Sequence, residues 1–222
     1  MDFQNIISYL LLIPAALIAL SVHEFAHGYV AYRLGDPTPR ALGRLTLNPV
    51  KHLDPIGTVC MVLFRFGWAR PVPINPRYFK DPRKGMAITA AAGPIANILM
   101  ALLGALFFKL TALVGNAAIA AVPNEKMIYF FFFYLAQFFL LFHYLNLSLC
   151  VFNLIPLPPL DGSRIFYVFL PPKWYFGVMK HERTIQIILL VALWLGAFTG
   201  LLSTVVDWLS SLLFAILSFL PF

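Results

Sequence analysis

Four apolar stretches, each as long as a bilayer is thick or longer, constrain this chain more than any other feature. A membrane-crossing helix needs about 20 mostly apolar residues. Runs of that kind cover residues 6–32, 85–113, 127–153 and 184–222. The last is long enough for two helices with a break near Thr199 and Gly200. The expected fold is therefore an α-helical polytopic membrane protein with about five transmembrane helices, four being the alternative. Only 11% of the residues are charged and 61% are hydrophobic, against about 25% charged in soluble domains. The lipid bilayer is thus the chain's main solvent, and residues 1–222 read as a single domain. Residues 1–5 carry no Lys or Arg and the first apolar run continues straight into His23 and Glu24. It reads as a retained span rather than a signal peptide.

Charge sets the orientation. The formal net charge is +7, but no aromatic-basic interleaving of the kind that binds nucleic acid is present. Ten Lys and Arg residues lie between Arg33 and Lys84, four between Arg164 and Arg183, and Lys109 and Lys126 make up the sixteen. The first and third connections share one side of the membrane, and basic loops stay cytoplasmic. The expectation is a multi-pass protein of the cell membrane, with its N-terminus outside and its large loops facing the cytoplasm.

The stretch 41–79 has a different texture. Its Pro and Gly residues punctuate short β-branched and aromatic runs, the pattern of strands and turns. A small membrane-associated β-sheet or hairpin is expected there, with the apolar but short run 56–66 dipping into the bilayer surface.

The chemistry begins in the first helix, which carries His23-Glu24-Phe25-Ala26-His27. Residues four apart stand on one helical face, so two imidazoles can grip one cation. In an HExxH site the His pair binds zinc and the Glu serves as general base to a metal-activated water. Ionisable residues inside a membrane span are expensive and mark function by default. A catalytic zinc takes a third protein ligand and keeps one position open. Among the remaining acidic residues Asp161 is the best candidate. Pro156, Pro158 and Pro159 cannot continue a regular helix, and an extended Pro-rich segment over 153–162 can return its carboxylate to the His pair. The bland alternative is that Asp161 N-caps a short helix starting near Gly162.

HExxH in the first helix, Ala91-Ala-Gly-Pro-Ile-Ala-Asn97 in the second, and Asn153-x-x-Pro-x-x-x-x-Asp161-Gly162 after the third together resemble the site-2 protease family of intramembrane zinc metalloproteases. The resemblance runs from His23 to about Arg164. It implies one Zn2+ ion held by His23, His27 and Asp161, Glu24 as base, and Asn153 orienting substrate or stabilising the oxyanion. It implies substrates that are transmembrane segments of other proteins. The chain looks like the compact bacterial type, having neither a PDZ-like insertion nor a nucleotide-sensing domain.

Other polar residues carry weaker signals. His143, Asn146, Cys150 and Asn153 share one face of the third helix, which suits interhelical hydrogen bonding as well as function. Asn97 shares a face with Gly93 and is a candidate for ordering the site. His52 and Asp54, two apart in a Pro-flanked loop, read as loop hydrogen-bonding groups before metal ligands. Two rival functions use the same residues. One is a zinc or proton transporter, although no repeat suited to alternating access is visible. The other is a catalytically silent membrane-binding relative, against which Glu24 speaks.

Overall fold

The computed structural model describes residues 3–64, 69–122 and 125–220, and the described part is helical. Helix α1 spans Phe3–Arg33 and carries the His pair in its last third. Three short helices follow: α2 (Thr38–Ala41), α3 (Pro49–His52) and α4 (Pro55–Phe64). Helix α5 (Pro82–Ala121) opens on Asp81, whose carboxylate accepts from the Arg83 and Lys84 amides, with Pro82 at the first position. An N-cap carboxylate followed by Pro is a strong helix start, and it sets α5 beginning before the apolar run does. Helix α6 is Lys126–Asn153.

Helices α1, α5 and α6 form the body. Small residues let them meet closely, as membrane helices require. A Cβ on Gly104 would come within 3.0 Å of the His143 amide, and one on Gly115 within 2.9 Å of Phe132. Ala15, Ala19 and Phe142 form the α1–α6 seam. Ala101 and Leu147 pack with Val206 and Leu213 of the last helix, α10 (Thr199–Ile216). Buried Lys109 reaches from α5 to the end of α10, donating to the Leu217 and Leu220 carbonyls at 3.0 Å each. A cation at helix-terminal carbonyls is favourable.

Past α6 the chain turns through the Pro-rich segment into α7 (Asp161–Tyr167). Here a glycine is required. A Cβ on Gly162 would lie 2.3 Å from the Leu154 carbonyl oxygen and 2.5 Å from that of Ile155, so only Gly lets α7 start against the returning chain. Arg83, at the head of α5, donates to the carbonyls of Tyr167, Val168 and Leu170 and so closes the trailing end of α7. Helices α8 (Pro172–Met179) and α9 (Glu182–Trp194) lead to α10.

One expectation is overturned, and the helix count is met at its lower alternative. Among the described residues there is no β-sheet or hairpin in 41–79. Only one isolated antiparallel bridge, Leu53 to Ala69, is present, and residues 65–68 lie outside the described set. The β-branched run became α4, since a short apolar run does not reveal its period. Residues 70–75 are irregular because Pro71 and Pro73 remove donors that a ladder needs, and Pro76 opens a short 3-10 turn, Pro76–Tyr78. Among the described residues four helices are long and apolar enough to cross a membrane: Ile7–Arg33, Pro82–Ala121, Lys126–Asn153 and Thr199–Ile216. The fourth apolar run breaks at residues 195–198, directly before Thr199 and close to where it was expected, with Gly196 taking φ +74°. The 13-residue α9 is left before the break. At 1.5 Å per residue it reaches only about 20 Å, short of a hydrocarbon core of about 30 Å. Residues 221 and 222 of that run lie outside the described set.

Candidate metal centre

Two turns of α1 and the first residue of α7 meet at one point. His23 Nε2 and His27 Nε2 are 3.0 Å apart. Each lies 3.2 Å from Asp161 Oδ2. Asp161 does not cap a helix, because the N-cap of α7 is Leu160 and Asp161 is its first residue. With its place in the first turn fixed by the Gly162 contact, the carboxylate faces the imidazoles.

The far sides of the rings settle their roles. His27 Nδ1 is 2.8 Å from the Thr89 carbonyl oxygen and His23 Nδ1 is 3.3 Å from Asn97 Oδ1. Both partners only accept, so each Nδ1 carries the proton and each neutral ring turns a lone pair outward from Nε2. Both rings are over 90% buried. Two lone pairs and a carboxylate oxygen then share one small volume, and Asp161 Oδ2 has no hydrogen-bond donor facing it. Such a set repels itself unless a cation sits among it. A tetrahedral zinc with bonds of about 2.0–2.1 Å separates its ligands by about 3.3–3.4 Å, close to the 3.0–3.2 Å seen here. These three residues could therefore hold one zinc ion, with Thr89 and Asn97 fixing the tautomers from behind as partners of metal-binding His do.

Helix α5 closes one side of the set. A Cβ on Gly93 would lie 2.5 Å from both His23 Cε1 and His27 Nε2, so its missing side chain lets the helix press against the rings. Next to it, Pro94 has no amide proton for the Ala90 carbonyl and loosens the turn beside Thr89.

The other side opens on a cavity of about 470 Å³ lined by His23, Glu24, His27, Val72, Asn153, Asp161, Arg164, Glu182 and Gln186, among others. Glu24 Oε2 accepts the Val72 amide proton at 2.8 Å. Asn153 also lines the cavity, but its Nδ2 donates to Leu149 O of its own helix at 2.9 Å. At the rim Arg164 and Glu182 approach to 3.6 Å, joining α7 to α9.

Four expected site residues, His23, Glu24, His27 and Asp161, thus converge, and Asn153 stands at the cavity wall. His143 and Asn146 lie elsewhere. His143 bridges Ala101 O and Ser210 Oγ, and Asn146 Nδ2 bonds Phe142 O. His52 is buried in the 44–54 loop, bonded to Thr46 O at 2.7 Å. Sequence reasoning missed the Thr89 carbonyl and the Val72 amide, which are backbone groups without a side-chain signature. It also missed Arg164, Glu182 and Gln186 at the cavity. Periodicity puts Gly93 on the face of Asn97 but does not show that it lies against the His23 and His27 rings. The adjoining Pro94 was the available hint that this turn is special.

The model for peptidase family M50 matches residues 11–199. The chain is 44% identical over 161 residues to YwhC of Bacillus subtilis, which bears a provisional zinc-metalloprotease name, covering 72% of this chain and 69% of that one. It is 28% identical to Rip2 of Mycolicibacterium smegmatis, similarly named, over 74% of this chain and 59% of the relative. It is 25% identical to Rip2 of Mycobacterium tuberculosis, over 92% and 74%. No solved structure matches the chain.

Proposed function

The chain belongs to peptidase family M50, and from that premise we propose that residues 1–222 act as one catalytic unit in which His23, His27 and Asp161 hold a single zinc ion and Glu24 is the general base. The protein is an intramembrane zinc metalloprotease of the site-2 protease kind, a multi-pass helical membrane protein acting on membrane-protein substrates. The observation that carries the residue assignment is the convergence of two imidazole lone pairs and one carboxylate oxygen, 3.0–3.2 Å apart, against a glycine.

Zinc bound there supplies Lewis-acid polarisation of the scissile carbonyl and brings the pKa of water down toward about 7. The chain's residues do the rest. The Val72 amide holds one oxygen of Glu24, leaving the other to take the proton from the attacking water and pass it to the leaving amine. Gly93 and the imidazoles wall off one side, so a peptide reaches the centre only from the cavity. Asn153 reaches the reacting carbonyl once its amide turns from Leu149, and there it orients substrate or donates to the oxyanion.

The substrates in this reading are transmembrane segments, unwound locally to expose their carbonyls. The orientation is N-terminus outside in the cell membrane. Fourteen of sixteen Lys and Arg residues lie in the connections at the end where α1 finishes and α7 begins, which supports a cytoplasmic face there. A fifth crossing would need α9 to complete its path through the residues beside it, and four is the count that helix length supports.

The test is Glu24→Gln in proteoliposomes with a labelled single-span helical substrate. Cleavage falls by about 10²–10⁴-fold while one zinc per chain remains. Undiminished cleavage by that variant overturns the assignment. Zinc or proton flux lost in step with it would favour transport instead.

A further inference from the structure

The 44–54 loop, Arg44-Leu-Thr-Leu-Asn-Pro-Val-Lys-His-Leu-Asp54, is not used by the chemistry above, yet it is built around two buried polar side chains. Arg44 is 7% exposed and His52 1%. Arginine is almost never buried unless paired, and among the described residues no carboxylate lies within ion-pair distance of Arg44. Its guanidinium instead donates to two successive backbone carbonyls, Arg70 and Pro71.

Those carbonyls belong to a strap, Ala69–Asn75, that passes over the C-terminal half of α1. Loop and strap are joined again where the Arg70 amide donates to His52 O at 2.8 Å and where Leu53 bridges Ala69. The strap's next amide, Val72, donates to Glu24 Oε2 at 2.8 Å. Asn75 N anchors the far end on buried Asp36 at 2.7 Å. Pro71 and Pro73 fix φ on either side of Val72 and bias the residues before them to extended backbone. Gly28, one turn beyond Glu24 on the same face, lets the strap approach. A Cβ there would meet Val72 Cγ1 at 3.3 Å. The strap is therefore stiff, doubly anchored, and in contact with the base through a single amide.

We propose that Arg44 is a positioning residue for proteolysis, holding the Ala69–Asn75 strap so that the Val72 amide aims the Glu24 carboxylate at the reacting water. The inference rests on Glu24 being the base. Reacting groups misplaced by about 1 Å lose about 10²-fold in rate, and Arg44 sits two links from the group to be placed. Both bonds come from one nitrogen, Nη2, and lysine keeps the charge and a donor nitrogen on a shorter stem without the planar guanidinium, so Arg44→Lys restores part of what Arg44→Met removes.

The experiment compares wild type, Glu24→Gln, Arg44→Met, Arg44→Lys, Val72→Pro and the Arg44→Met/Val72→Pro pair in proteoliposomes with the labelled single-span substrate. The readouts are kcat, KM, zinc per chain and Tm. Arg44→Met is expected to lower kcat by about 10²-fold with KM within about twofold and zinc still one per chain. Arg44→Lys recovers about a tenth of wild-type kcat. Val72→Pro, which deletes the amide proton, matches Arg44→Met, and the pair is no worse than either alone. A kcat of Arg44→Met near wild type overturns the proposal. So does a rise in KM alone, additive loss in the pair, or loss of zinc and Tm in step with activity in both Arg44 variants. If Arg44→Met does not fold, Arg44→Lys carries the same kcat-against-KM criterion. Active Glu24→Gln sinks the functional reading itself. Inert Glu24→Gln with unaffected Arg44 variants sinks this inference alone.

Discussion

Three histidines are buried among the long helices, and they differ in what their second nitrogen faces. His143 donates from Nδ1 to Ala101 O at 2.8 Å and meets Ser210 Oγ with Nε2 at 2.9 Å, tying α6 to α5 and α10. Both nitrogens are matched by protein, and the hydroxyl supplies the proton that a lone pair wants. His23 and His27 are matched only at Nδ1. Their Nε2 atoms face each other and a carboxylate, which also only accepts. A buried histidine whose two nitrogens both find partners is a finished cross-link. One whose lone pair is aimed at other lone pairs is a socket for a cation.

Removing groups from the two clusters tests that contrast. The largest effect is expected from Asp161→Ala. Zinc drops from one per chain to below about a tenth, and cleavage falls to background, because two imidazoles alone make an incomplete site. Metal analysis showing full zinc in that variant would break the distinction. Next comes Gly93→Ala, whose methyl would enter at 2.5 Å from both rings. Zinc affinity falls by about 10–100-fold, the range for disturbing groups that orient metal ligands, as read by chelator competition. Asn97→Leu, which strips His23 of its outer partner, falls at the lower end, about tenfold. Smallest for the chemistry is His143→Leu. It leaves two buried groups without their partner and lowers stability by about 1–3 kcal/mol, seen as a lower Tm in detergent. Its zinc affinity stays within about twofold of wild type. If His143→Leu lost zinc as Gly93→Ala does, the two clusters would not be separable.

The same contrast explains what could be read from the sequence. The long helices announce themselves by apolar length, and α1 and α6 end within a few residues of where the runs end. The i, i+4 spacing put His23 and His27 on one face, and the prolines after Asn153 foretold the turn toward Asp161. Helix periodicity also grouped His143 with Asn146, Cys150 and Asn153, but could not say that Ser210, in another helix, would satisfy that ring. Nor could it separate strand from helix over Pro55–Phe64. The Ala69–Asn75 strap shows the limit well. Its prolines gave away extended backbone, whereas beyond the one bridge to residues 52 and 53 its hydrogen bonds go to side chains at 24, 36 and 44 rather than to a neighbouring strand. Such pairings join distant residues through backbone atoms, and side-chain identity does not encode them.

Arg83 has a mechanical consequence. Its guanidinium grips the carbonyls at the trailing end of the helix that Asp161 leads, and it does so from the head of the helix that carries Gly93 and Asn97 further along. Displacement of the chain beyond Leu170 is arrested at that fastening before it reaches the carboxylate. The place of the third metal contact is therefore set by α5, even though Glu182 and Gln186 of α9 also border the cavity.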